Sequence, residues 1–171
     1  MANPTIELDP VTRITAGAVG KPGQRTFFLQ AEKGIERITL VCEKEQVQAL
    51  ADAVDEMVMN LEQEFGLTRH EDLKVDEDAM QVKEPVEPLF RIGAMGLGYD
   101  ANRDKILLVA QEAVGDEDEE REPREARFFA TRAQMQVVSQ YARDIIGRGR
   151  NPDQVVMQAE AHFRRNGHSD S

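Results

Sequence analysis

Gly17-Ala18-Val19-Gly20-Lys21-Pro22 places two glycines and a lysine within one short segment. Such residues cradle phosphate in a P-loop, where backbone N–H groups and a lysine ammonium meet the anion. That chemistry needs four residues between the first glycine and the Gly-Lys pair, a serine or threonine after it, and a helix beyond. Here only Ala18 and Val19 intervene, Pro22 takes the hydroxyl position, and Thr26-Phe27-Phe28-Leu29 continues as a strand. A tight turn between two strands is the consistent reading, because proline presets φ and glycine accepts positive φ. Gly93-Ala94-Met95-Gly96-Leu97-Gly98 likewise lacks the spacing of a dinucleotide fingerprint, and no helix pattern follows it. Glycines inside a strand mark a bulge, a close approach by another backbone, or room for a ligand.

The histidines are His70, His162 and His168, and none stands at helical metal spacing from a second ligand-type residue. Cys42 is the single cysteine, which excludes an intramolecular disulfide and a multi-cysteine zinc site. Its neighbour Glu43 would raise a thiol pKa, so Cys42 reads as a small core residue rather than a nucleophile. No Ser-His-Asp arrangement is visible, and neither metal nor cofactor is expected. The run Asp116-Glu117-Asp118-Glu119-Glu120 lacks the EF-hand pattern and reads as solvated surface or a docking segment for a basic partner. Arg13, Lys21 and Arg25 surround the glycine-proline turn and offer an anion site if they converge; Arg25 can equally pair with a carboxylate. Arg148, Arg150, Arg164 and Arg165 cluster late. They suit contact with an acidic partner or RNA, or simply cations placed at helix C-termini.

The elements that must position these groups alternate in period. Ile6 and Leu8 form a short strand ended by Asp9-Pro10; Arg13–Val19, Thr26–Ala31 and Glu36–Cys42 follow as strands with short links, which favours antiparallel pairing. Val47, Leu50, Ala51, Val54, Val58, Leu61 and Phe65 then recur at steps of three and four, which predicts a helix from Lys44 to Phe65 with Gly66 at its end. Thr68 to Pro88 reads as a long loop with one short helical turn. Phe90–Asp100, Lys105–Val114 and Ala126–Ala130 are strands, and Thr131 with Gln134 has the capping-box spacing of a second long helix. A last helix starts at Asn151-Pro152, with Val155, Val156, Ala159 and Phe163 on its apolar side. Ile38 to Val47 resembles Ala126 to Met135, each a strand running directly into a helix. Two βββα halves, or chance and shared strand-to-helix grammar, account for that equally.

The chain has 171 residues, 40% of them hydrophobic and 31% charged, with a net charge of −11. That suits one α+β domain over residues 1–150 followed by a helix and tail over 151–171. A chain this acidic lacks the basic footprint of a nucleic-acid or anionic-membrane binder. No stretch approaches the length of a membrane span, and Met1 to Thr5 has neither a basic flank nor an apolar run, so a cytoplasmic protein is expected.

The segment from Gly17 to Ala31, with Asp9-Pro10 and Arg13 before it, resembles the uncharacterised DUF3090 family of actinobacteria and Chloroflexi. The resemblance runs on through Glu43-Lys44-Glu45-Gln46-Val47, Phe90-Arg91-Ile92-Gly93-Ala94-Met95 and Thr131-Arg132-Ala133-Gln134, to about Arg150. It implies a cytoplasmic protein with no established activity. Many members carry a cysteine-rich zinc ribbon at the C-terminus; this chain has no cysteine after Cys42, and only His162, Arg165, Asn166 and Gly167 echo that ending.

The expected architecture is a mostly antiparallel sheet of six or seven strands, or a partial barrel, packed on two long helices with a third at the C-terminus. The expected function is non-catalytic binding of a protein partner or small anionic ligand. An enzyme acting on an anionic small molecule is the alternative, and an RNA-associated protein the next. A cavity lined by Arg13, Arg25 and Gln30 would favour the enzyme; an apolar patch or dimer on the last helix would favour a protein-interaction role.

Overall fold

A computed structural model describes residues 5–70, 73–115 and 121–148. In chain order the elements are β1 (Thr5–Leu8), β2 (Arg13–Val19), β3 (Thr26–Lys33), β4 (Glu36–Cys42), α1 (Lys44–Phe65), α2 (Glu77–Met80), β5 (Phe90–Asp100), β6 (Lys105–Glu112), β7 (Glu125–Ala130) and α3 (Arg132–Arg148). The expected helix from Asn151, with Arg150, Arg164, Arg165, His162 and His168, lies outside the described residues, as does the acidic run Asp116 to Glu120.

The fold is α+β, with one seven-stranded sheet in the order β1-β7-β6-β5-β4-β3-β2. The sheet is mixed. β2–β3, β3–β4, β5–β6 and β6–β7 are antiparallel, as their short connections require. β4–β5 and β1–β7 are parallel, which corrects the antiparallel expectation at those two joints. The physical reason is the connection: the chain leaves β4, runs the length of α1 and returns before entering β5, and such a crossover permits parallel pairing. The two edge strands are consecutive in sequence. Their link brings the edges together, because Val11 N donates to Phe129 O of β7 (2.8 Å) and Thr12 N donates to Glu32 O of β3 (2.7 Å).

β2–β3–β4–α1 and β5–β6–β7–α3 repeat the same order and directions. Directly opposed residues share a face, so Ala16, Leu29 and Leu40 form an inward rung, and Leu97, Leu108 and Phe128 form its counterpart. Phe128, Leu40 and Leu108 are fully buried, and a side chain of that size contributes roughly 2–3 kcal/mol when removed from water. Each helix is started by a glutamine that reaches back: Glu43 N donates to Gln46 Oε1 and Thr131 N to Gln134 Oε1, both at 2.8 Å. The same glutamines then tie the halves together, Gln46 Nε2 donating to Ile92 O (3.1 Å) and Gln134 Nε2 to Val11 O (3.3 Å). α1 presents Val47, Leu50, Val54 and Val58 to the core and ends at Gly66, whose φ of 66° suits the left-handed cap.

The outward faces of the halves differ. Thr15, Gln30 and Thr39 stand opposed on β2, β3 and β4 and are buried, whereas Gly96, Val109 and Arg127 hold the matching places on β5, β6 and β7. Among the described residues no helix is long and apolar enough to cross a membrane.

Candidate functional site

The buried polar rung on the first half holds down a strap, residues 79–84. Thr15 Oγ1 donates to Met80 O (2.6 Å), Gln30 Nε2 donates to Lys83 O (3.1 Å), and Lys83 N returns a bond to Gln30 Oε1 (2.8 Å). Arg13 Nε donates to Ala79 O (2.7 Å), its Nη2 to Gln81 O, and its Nη1 to Gln30 Oε1 (3.0 Å). Glu32 receives Arg13, Arg37 (3.0 Å) and Lys83 (3.2 Å). Partial burial acts against the Glu32 carboxylate, but the bonds from Arg37 and Lys83 outweigh it and hold its pKa below the usual value. Arg13 is therefore committed to positioning backbone, with burial lowering its pKa against the pull of Glu32.

Arg25 sits elsewhere. The β2–β3 register puts Arg13 opposite Glu32 at one end and Val19 opposite Thr26 at the other. Six steps of about 3.4 Å separate those ends by roughly 20 Å, so Arg13 and Arg25 do not converge on one anion. Lys21 is exposed in the turn. Gln30 is fully buried beneath the strap, so Arg13, Arg25 and Gln30 do not line one cavity.

A cleft of about 430 Å³ opens beside the turn, walled by Val19, Gly20, Arg25, Val82, Tyr141 and Ile145. The glycine-proline turn, the strap and the last turns of α3 supply its three sides. Gly20 has a φ of 113° and closes tightly on Gln24, which fixes where the turn stands relative to Arg25. Gly17 gives room for its neighbours: a Cβ there would meet Val82 Cγ2 at 3.0 Å and Tyr141 Cε2 at 3.6 Å. Burial pushes the Tyr141 hydroxyl pKa up, against the pull of Arg148.

Arg25 is half-buried, its guanidinium carbon 4.9 Å from the centre of the Phe27 ring. Nη1 donates to Ile145 O (2.6 Å), in the last described turn of α3. Nε and Nη2 are buried and have no hydrogen-bond partner among the described residues. Burial lowers the Arg25 pKa, yet a guanidinium remains charged at neutral pH. Arg148 reaches the same cleft but is paired with Glu77 and, at 3.7 Å, with Asp144.

Cys42 is 4% exposed, and burial with the charge of Glu43 pushes its pKa up to about 12. His70 makes main-chain contacts: its N–H donates to Gln136 Oε1 (3.3 Å) and its C=O accepts from Gln136 Nε2 (3.0 Å). Gly93 lies at the β5 bulge, where a Cβ would stand 2.9 Å from Ala113 Cα, so close backbone approach accounts for it. Two features escaped sequence reasoning. Val82 and Tyr141 join Arg25 only through long-range packing. Glu112 gathers Arg121 and Arg124, whose sole signal was a charge-dense stretch around Pro123.

No curated protein and no solved structure matches the chain. The model of one family, described as a protein of unknown function, DUF3090, matches residues 6–162. With most of the chain spanned in this way, including both halves of the sheet and the cleft between turn, strap and α3, the protein belongs to the DUF3090 family.

Proposed function

We propose that this protein is a non-catalytic cytoplasmic binding domain whose ligand occupies the cleft between the β2–β3 turn, the strap and the end of α3. One observation carries the reading: two buried N–H donors of Arg25 stand at the cleft without partners among the described residues. Leaving such donors unsatisfied is costly, on the order of 1–3 kcal/mol each, and a ligand acceptor removes that cost. The volume falls in the range of small-molecule sites, and the lining joins apolar side chains to polar ones that can orient a ligand. Binding is favoured over catalysis because the other polar clusters of the first half are spent on holding the strap.

The test is purification of the full chain from native lysate, with untargeted identification of what it carries. The expected result is a small molecule that co-purifies with the wild type and is lost from Val19→Trp, which narrows the cleft at a half-exposed position. The same bound molecules on both proteins would overturn the reading. Chemical conversion of the co-purifying molecule would replace it with the enzyme alternative, and salt-sensitive RNA in place of a small molecule would replace it with the nucleic-acid one.

A further inference from the structure

The geometry points to a small monocarboxylic acid with an apolar body as the ligand of the Arg25 cleft, its carboxylate held side-on by Nε–H and Nη2–H. This rests on the cleft being the binding site and adds the chemical class of what enters it.

Nε–H and Nη2–H are not an arbitrary pair of donors. They lie parallel on one edge of the planar guanidinium, and that edge matches the two oxygens of a carboxylate. In Arg25 the remaining nitrogen, Nη1, is fixed on Ile145 O, so the group is anchored by one corner while its Nε–Nη2 edge is buried and unpaired among the described residues. The Phe27 ring, with the guanidinium carbon 4.9 Å from its centre, supports the group from a second side. A guanidinium placed only to cap α3 needs the Nη1 contact and leaves no reason to bury the opposite edge.

Charge selects among anions. Arg148 is compensated by Glu77 and Asp144, and the exposed Glu84 adds a negative charge at the rim. Among the described residues Arg25 is thus the uncompensated cation lining the cleft, and it balances one negative charge. A phosphate dianion would bring a second charge that no described group lining the cleft is free to neutralise, and burying it would be costly. Beside the polar Gln81, Glu84 and Arg148, the wall carries an apolar part, through Val19, Val82, the Tyr141 ring and Ile145, which suits an aliphatic or aromatic body. Gln81 and Glu84 also line the cleft and are exposed, so on this proposal it is their long side chains that must move for a carboxylate to reach the buried edge of Arg25.

The experiment titrates the full chain with hexanoate and phenylacetate, with hexanamide and inorganic phosphate as matched probes. Calorimetry gives affinity, and arginine Nε–H signals in ¹⁵N spectra give location. The expected result is saturable binding of the acids with a shift of the Arg25 Nε–H signal. Hexanamide and phosphate should bind at least about tenfold more weakly, and Arg25→Lys should weaken hexanoate by a similar factor, since an ammonium supplies no parallel pair of donors. Val19→Trp, which leaves the Arg25–Ile145 contact in place, should also abolish binding, so the test survives if Arg25→Lys fails to fold. Equal binding of hexanamide or phosphate at the same signals would overturn the carboxylate while leaving the cleft as the site. Failure of both acids to move the Arg25 signal, or acid binding unaffected by Val19→Trp, would overturn the inference and the cleft together.

Discussion

Replacing Glu112 by glutamine removes a negative charge from a point where two guanidinium groups meet. Glu112 Oε1 accepts from Arg121 Nη1 (2.8 Å), Arg124 N (3.0 Å) and Arg124 Nε (3.1 Å), and Oε2 accepts from Arg124 Nη2 (2.9 Å). Arg124 Nη2 also donates to Leu89 O (2.9 Å), so the cluster ties the entry of β5 to the end of β6 and the approach to β7. The bonds from Arg124, joined by those from Arg121 and opposed by burial, hold the Glu112 carboxyl at about 2, against an ordinary value of 4.5. At about 1.4 kcal/mol per unit, full conversion gives roughly 3 kcal/mol; the part-exposed arginines are screened by water, which brings the figure to about 2 kcal/mol. A depressed carboxylate pKa stabilises above the unfolded-state value, and that stabilisation is lost as pH falls through 4.5 toward 2. Roughly a quarter is gone by pH 4 and more than half by pH 3. Urea unfolding of wild type and Glu112→Gln at pH 7, 5.5, 4 and 3 reads this directly. The variant should be less stable by about 2 kcal/mol at neutral pH, with the gap narrowing as acid is added. A gap independent of pH, or one below about 0.5 kcal/mol at pH 7, would refute the reasoning.

Gln30→Met keeps the volume of the side chain but strips the strap of its central partner; we expect a loss of about 2–3 kcal/mol and faster hydrogen exchange at the Lys83 amide, with exchange in α1 little changed. Gly93→Ala forces a methyl to within 2.9 Å of Ala113 Cα, and thermal unfolding should show a cost of about 1–3 kcal/mol, whereas Gly96→Ala, which points into open space, should cost much less.

Much of the local architecture was legible because its signals are local. The stripe Val47-Leu50-Val54-Val58-Leu61 has a helical period, and α1 runs over the residues it marks. Thr131 and Gln134 form the bonded pair their spacing implies, and alternation bounded β2 and β4 correctly. What was not legible depends on partners distant in sequence. Nothing in Thr5–Leu8 states that it will pair with Glu125–Phe128, or that the pairing is parallel. Nothing in Gln30 or Thr15 says that a strap 53 and 65 residues on will seal them, since the same residue types serve equally well on a wet strand face. The turn that Arg25 flanks points to it as a candidate anion ligand. Of its expected companions, Arg13 stands at the far end of the β2–β3 pair and Lys21 is exposed in the turn, and what distinguishes Arg25, burial of one guanidinium edge, exists only once α3 has packed.

The parallel pairing of β1 with β7 also governs how the chain is made. Synthesis proceeds from the N-terminus, so Thr5–Leu8 emerges first and its partner Glu125–Phe128 emerges near the end. The hairpins of the first half close through neighbours, but the N-terminal strand has no edge to join until the second half is out. Throughout that interval both open edges of the growing sheet are available to other chains. An extension appended before β1 would ride on the last joint to form, and its burden would fall on the closing step of folding rather than on the elements already in place.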